Sequence, residues 1–192
     1  MINDNGAEAE VIPDKSDFLS TDPLIPRQQI LHTKIVTENN FHIGKDRLTA
    51  VMGYQRNQRQ EFGNVLQPDE KSLYFDLGTF NYNLQYHLEE KNNWRITVGA
   101  NGMLQKNKNK GEEQLIPVYS LFDIGVFVYA QKKIDQFTLS GGARFDSRFL
   151  DAEGLLYGPD VKFEAFKKNF SNVAGSIGFA WQVNNSIILK FN

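Results

Sequence analysis

Apolar and polar residues alternate along most of this 192-residue chain, in runs that are joined by short turns. Alternation with a period of two is typical of a half-buried β-strand, because successive side chains point to opposite faces of a sheet. The pattern predicts an all-β fold, an antiparallel up-and-down meander of about eight long strands. The expected strands span residues 28–43, 47–61, 72–88, 94–106, 118–132, 135–149, 169–182 and 186–192.

The connections between these strands are short at one end and long at the other. Four short turns are expected, near Lys45-Asp46, Glu89–Asn93, Lys133-Ile134 and Val183–Asn185. Between them lie longer polar stretches at 62–71, 106–117 and 149–168. This asymmetry is typical of barrels in outer membranes, where periplasmic turns are short and extracellular loops are long. The strands therefore read as a segment of a transmembrane β-barrel.

Pairing across each turn tests this interpretation. With a two-residue turn at Lys133-Ile134, Val128 would face Leu139 and Ile124 would face Ala143, so that apolar residues meet at each rung. The same register puts Asp123 opposite Arg144 on the polar face, where we expect an ion pair. The other three turns also pair apolar with apolar residues, as in Phe41/Ala50, Tyr86/Ile96 and Trp181/Ile187. The first hairpin is the weakest, because it places Asn39 opposite Met52.

Four aromatic residues are expected on the apolar face beside the short turns: Tyr86, Trp94, Phe137 and Trp181. Amphipathic rings favour the headgroup region of a bilayer, so these positions predict a membrane-interface girdle. The alternative is that both tryptophans lie in the core of a soluble β protein, near the strand ends.

Composition narrows the possible functions. The net charge of −2 leaves no electrostatic footprint for nucleic acid, and the absence of cysteine excludes a disulfide framework. Residues 1–27 hold three of the six prolines and many acidic residues, which predicts an irregular acidic segment, the tail of an extracellular loop. The first residues lack the cationic and apolar regions of a signal peptide, so we expect a piece of a longer exported protein.

Several stretches resemble the barrel portion of TonB-dependent outer-membrane receptors, particularly those for iron–siderophore uptake. They are YQRNQRQEFG (54–63), LYFDLGTFNYNLQYHL (73–88), NKGEEQLIPVYSLFDIGVFVYAQK (109–132), LSGGARFDSR (139–148) and FSNVAGSIGFAW (170–181). The resemblance identifies residues 28–192 as a receptor barrel segment. It implies location in the cell outer membrane and contact with its lipid. It also implies active import of a ferric siderophore or similar large nutrient, with TonB and a plug domain as partners.

The sequence departs from this family in three respects. It shows no TonB box and no plug domain, and it supplies about eight strands where the family's barrels have about 22. It also stops at Asn192, where those barrels usually end on an aromatic residue. These departures predict a middle slice of a receptor.

No catalytic or cofactor motif is present, so neither an enzyme nor a cofactor is expected. His32, His42 and His87 lie on different strands without metal-ligand spacing. The one candidate ligand site is a set of charged residues expected to face the lumen: Asp123, Arg144, Asp146 and Arg148. Its arginines could meet an anionic ferric chelate or the plug. Alternatively, the set is a charge ladder that only stabilises a polar lumen.

Two further functions remain open at this level. Eight strands are enough to close a small barrel, so the chain could be a self-contained structural or adhesion protein of the outer membrane. It could also be a soluble lipocalin-type binder, in which the apolar face would point inward around a ligand.

Overall fold

The computed structural model describes residues 14–21 and 23–192, and its main feature is a single eight-stranded antiparallel sheet. A short helix, α1 (Lys15–Leu19), precedes the sheet. The sheet strands are β1 (Arg27–Ile43), β2 (Asp46–Phe62), β3 (Leu73–His87), β4 (Trp94–Asn109), β5 (Tyr119–Ile134), β6 (Phe137–Ala152), β9 (Phe166–Gln182) and β10 (Ile188–Phe191). Each strand pairs with the next one in this order, which confirms the predicted meander.

The strand list differs from the expected one mainly in two places. The loop expected at 149–168 contains a separate hairpin of β7 (Leu155–Tyr157) and β8 (Asp160–Phe163), which turns at Gly158. Gly158 has a φ of 61°, in the left-handed region that glycine adopts without steric cost. The last strand, β10, is shorter than expected, with four residues instead of seven.

The segment expected to be irregular, residues 1–27, is described only in part. Residues 1–13 and 22 lie outside the described residues. Within the remainder, α1 forms with Asp14 before its first residue, and the Asp14 carboxylate accepts a bond from the Ser16 backbone N–H at 2.6 Å. A side-chain acceptor at this place satisfies a helix N–H that has no partner in the helix.

In all four hairpins the side chains lie on the predicted face of the sheet, but each residue pairs with a different cross-strand partner than predicted. Val128 pairs with Ala143 rather than Leu139, a shift of four residues, because the turn lies at Asp135-Gln136. The other three hairpins are shifted by two residues, as the pairs Phe41/Leu48, Tyr86/Val98 and Trp181/Leu189 show. An even shift leaves every side chain on its face, so the pattern of alternation could not detect it. The turns decide the rung: Gly44 and Asp135, the first residues of two of them, have φ of 63° and 49°.

The sheet is a single layer, so it has almost no hydrophobic core. Among the described residues, the buried hydrophobic ones are Ala50, Phe62 and Ala152. The face that carries the alternating apolar residues, called here the apolar face, is exposed: Val126 and Val128 are 48% and 44% accessible. On the opposite polar face, Thr79 and Asn107 are 2% accessible. An exposed apolar surface of this extent is typical of a face that contacts another protein surface or a membrane.

A glycine on the apolar face allows one close contact between strands. The Tyr82 hydroxyl crosses Gly102 and donates to the backbone oxygen of Asp123 at 3.0 Å. A Cβ at Gly102 would meet that oxygen and would lie 2.6 Å from the Tyr82 hydroxyl. Side-chain volume at this position is therefore incompatible with the present packing of β3, β4 and β5.

We expect Gly102→Ala to destabilise the sheet by about 1–3 kcal/mol, the usual cost of overpacking a tight site. The measurement is equilibrium unfolding in urea after refolding into detergent micelles. Gly175→Ala is the matched control, because its Cβ would meet only the Gly142 oxygen at an ordinary 3.6 Å. Equal free energies of unfolding for the two variants would contradict this account of Gly102.

Candidate functional site on the polar face

The four charged residues singled out in the sequence lie together on the polar face of β5 and β6. Asp123 belongs to β5, and the other three belong to β6. Alternation places all four side chains on the same side of the sheet. Arg148 is the cross-strand partner of Asp123 and donates two parallel bonds to its carboxylate, at 2.8 and 2.7 Å. Such a two-point pair fixes the orientation of both side chains.

The prediction of an ion pair between Asp123 and Arg144 is wrong. The register shift of four residues places Arg148 opposite Asp123 and leaves Arg144 opposite Phe127. Arg144 instead binds Asp146 of its own strand, with its Nε 2.8 and 2.7 Å from the two carboxylate oxygens. The site is therefore made of two neutral pairs rather than of free cations.

Small residues allow these side chains to lie flat on the sheet. A Cβ at Gly125 would collide with the head groups of Arg144 and Asp146, so both cross β5 where a side chain is absent. Arg144 thereby reaches β4, where its Nη2 donates to Asn101 Oδ1 at 2.6 Å. The Phe127 ring lies in the same way over Gly99, at 2.5 Å from where a Cβ would stand.

These residues border a shallow depression of about 990 Å³. Its polar-face lining includes Asn81, Asn83, Asn101, Asp123, Arg144 and Arg148. The asparagines were not predicted as part of this site. In the sequence they are visible only as polar positions of β3 and β4. Their closeness to Arg144 depends on Gly125, which lets the Arg144 side chain cross β5. The depression offers amide, carboxylate and guanidinium groups, which suits a polar ligand of several hydrogen-bonding groups.

A second charged cluster was also missed, and it lies on the apolar face near the long loops. Asp76 is 7% accessible and accepts two bonds from Arg56, at 2.8 and 2.7 Å, and one from Lys110, at 2.6 Å. The sequence signal was a carboxylate at an apolar-face position of β3, which breaks the alternation. Three bonds from two cationic side chains compensate the desolvation of this carboxylate.

The short turns are connected by their own polar contacts. Asp46 accepts bonds from the Tyr86 hydroxyl at 2.6 Å and from the Glu89 backbone N–H at 2.7 Å. Lys45 lies 2.7 Å from Glu89, and this hydrogen-bonded carboxylate raises the pKa of the Lys45 ammonium group. These contacts hold the first hairpin against the second at the short-turn end.

The four aromatic residues expected in a girdle all lie on the apolar face near the short turns. The Phe137 and Trp181 rings stack with centroids 6.0 Å apart, and the Lys132 ammonium lies 5.3 Å from the Trp94 ring. Tyr86 is partly buried by its bond to Asp46. Their role at a membrane interface remains a prediction.

The described part of the chain carries neither a metal-binding cluster nor a membrane-spanning helix. No group of three or more His, Asp or Glu side chains there could hold a metal ion. None of the helices in the same residues has the length and apolar character needed to cross a membrane.

Comparisons with known proteins support the fold. No protein-family model matches the sequence, and no curated protein matches it significantly. Among solved structures, the sheet is similar to the ferric yersiniabactin uptake receptor FyuA from Yersinia pestis, with a TM-score of 0.53 and 11% identity. The match covers 82% of this chain and 27% of the receptor. The chain thus has the fold of a section of a receptor barrel and spans about a quarter of that protein.

The two carboxylates allow a matched test of burial. We expect Asp76→Asn to cost about 2 kcal/mol, because the bonds from Arg56 and Lys110 lose their charged acceptor in a buried place. Asp123→Asn should cost less than about 1 kcal/mol, since the Asp123 side chain is 21% accessible against 8% for Asp76 and has one charged partner instead of two. The measurement is urea unfolding in micelles, and a larger cost for Asp123→Asn would contradict this ranking.

Proposed function

We propose that this chain forms part of the wall of an outer-membrane transport barrel. The observation that carries the proposal is the single-layer sheet, which is apolar on its exposed face and polar on the other. Short turns lie along one end, and the fold resembles that of a siderophore receptor barrel. In hydrocarbon every backbone N–H and C=O needs a partner, and only helices and closed sheets meet this requirement.

The distribution of charge supports this sidedness. If the polar face met lipid, the Asp123–Arg148 pair and the Arg144–Asp146 pair would lie in hydrocarbon, where charged side chains are strongly disfavoured. With the apolar face in lipid, these pairs face an aqueous lumen. The short turns with Trp94 and Trp181 then lie at the periplasmic interface, and the long loops face outward.

The structure also bears on the alternatives. A soluble lipocalin-type binder would shield its apolar face around a ligand, whereas here that face is the exposed one. A self-contained eight-stranded barrel would pair its first strand with its last. In the described residues, β1 and β10 are the two ends of the strand order, and no pairing joins them. Both observations favour a wall segment.

The cargo we propose is a ferric siderophore or a similar large nutrient, with TonB and a plug domain as partners of the parent transporter. The depression on the polar face supports a ligand rich in oxygen donors and acceptors. Arg148 is the residue best placed to meet it, because its guanidinium is half exposed while its Asp123 partner is more covered. An anionic chelate oxygen would compete with Asp123 for these donors.

Tryptophan quenching tests the membrane orientation. In bilayers that contain brominated phosphatidylcholine, we expect the emission of both Trp94 and Trp181 to be quenched, because both rings lie on the apolar face. Single-tryptophan variants, Trp94→Phe and Trp181→Phe, assign the signal to each ring. Strong quenching by aqueous iodide without an effect of brominated lipid would overturn the proposed orientation.

A reporter on the polar face tests the cargo class. In a Trp94→Phe/Trp181→Phe background, Phe127→Trp places an indole beside Arg144, and Val126→Trp places one on the opposite face as the control. We expect ferric yersiniabactin to quench the first reporter saturably and not the second. Arg148→Gln should weaken this binding about tenfold, through loss of a charge-assisted bond. No saturable quenching would overturn the siderophore assignment and leave the barrel fold untouched.

A further inference from the structure

On β2 to β6 the apolar face ends abruptly at one row of cross-strand partners, whereas on β9 the partner of Phe149 in this row is the polar Asn169. Successive direct partners on β2 to β6 form a last apolar row of Tyr54, Phe80, Leu104, Phe122 and Phe149. The next row toward the long loops, one step further along each strand on the same face, is polar. It consists of Arg56, Gly78, Lys106, Ser120, Asp151 and Lys167. The change from aromatic to charged residues thus takes two residues, about 7 Å of strand.

One cation in the polar row, Lys106, has no ion-pair partner among the described residues. Arg56 is bound to Asp76, and Lys167 lies 2.7 Å from Asp151. Lys106 is exposed, and no carboxylate of the described residues comes within 4.0 Å of its ammonium group. Lys108, the next residue of β4 on this face, is likewise exposed and outside every ion pair of the described residues.

The surroundings of Lys106 form a depression with the last apolar row on one side and Lys106, Asp151 and Lys167 on the other. Asp151 and Lys167 pair with each other, so the unpaired positive charge of the depression is that of Lys106. The two cross-strand partners of Lys106 are Gly78 and Ser120, so neither neighbour fills the space beside it. The resulting depression measures about 640 Å³. Its lining includes Phe80, Leu104, Phe122, Phe149, Lys106 and Lys167.

We propose that Lys106, assisted by Lys108, binds the phosphate group of an anionic lipid whose acyl chain lies over Leu104 and Phe122. A soluble phosphate would use the lysines but not the adjoining aromatic row, whereas a lipid uses both. Anionic headgroups attract cationic side chains at just this level, where hydrocarbon gives way to water. The proposal rests on the proposed function, which places the apolar face in lipid.

Lipid binding to the full chain in dodecyl maltoside micelles tests the proposal by native mass spectrometry. The probes are dioleoyl phosphatidic acid, dioleoyl phosphatidylcholine and inorganic phosphate. We expect preferential retention of phosphatidic acid, weakened about fivefold by Lys106→Gln and roughly 25-fold by Lys106→Gln/Lys108→Gln. Raising the salt concentration should weaken retention in the wild-type chain more than in the double variant.

Lys34→Gln is the matched control. Lys34 is an exposed lysine on the polar face of β1, and its row continues through Gln55 and Thr79 to Gln105, the neighbour of Lys106. This variant loses the same charge at the same level of the sheet but on the other face, so lipid retention should stay at the wild-type value.

Three outcomes would overturn the proposal. Equal retention of phosphatidylcholine would reduce the depression to an apolar groove, and displacement of the lipid by inorganic phosphate at equal concentration would make it a simple anion site. Equal effects of Lys34→Gln and Lys106→Gln would remove the assignment to this row.

The brominated-lipid experiment distinguishes failure of the lipid site from failure of the proposed function. Quenched tryptophans without any effect of Lys106→Gln would reject the lipid site alone. Unquenched tryptophans would reject the membrane orientation itself.

Discussion

The backbone ladder of the eight-stranded sheet, from β1 to β10 without β7 and β8, is the interaction on which the rest of this structure depends. In the described residues neither α1 nor the β7–β8 hairpin packs against this layer, so the ladder is its main connection. The ladder satisfies backbone groups internally and forces side chains alternately to the two faces. A chain held in this way separates one apolar surface from one polar surface, which is the physical requirement for a wall between lipid and water.

Glycines in the sheet determine where a polar side chain can cross a neighbouring strand. Gly125 lets the Arg144 guanidinium cross β5 and reach Asn101, and Gly102 lets the Tyr82 hydroxyl reach β5 on the opposite face. In both places a missing Cβ creates a contact between strands that are not direct neighbours. The sheet is therefore connected by its backbone and, in addition, by side chains that pass over glycines.

The candidate site shows how far the sequence leads. The faces of Asp123 and Arg148 followed from alternation, and the structure brings both into one cluster as expected. Their partnership did not follow, since a shift of four residues exchanges Arg144 for Arg148 without moving either side chain to the other face. Asp76 was missed for a related reason. Its partners Arg56 and Lys110 lie on or beyond two other strands, so only the pairing of three strands brings them together.

The sequence by itself determined the fold class, the order of the strands and the face of nearly every strand residue. These properties depend on a period of two, which is local and survives any even shift of register. Only the tertiary structure decided which rungs meet, because the rung depends on backbone torsions at turns such as Gly44 and Asp135. The rungs in turn set the ion pairs, the glycine crossings and the row at which the apolar face ends. Chemistry that needs two strands at a defined offset is therefore a property of the folded sheet.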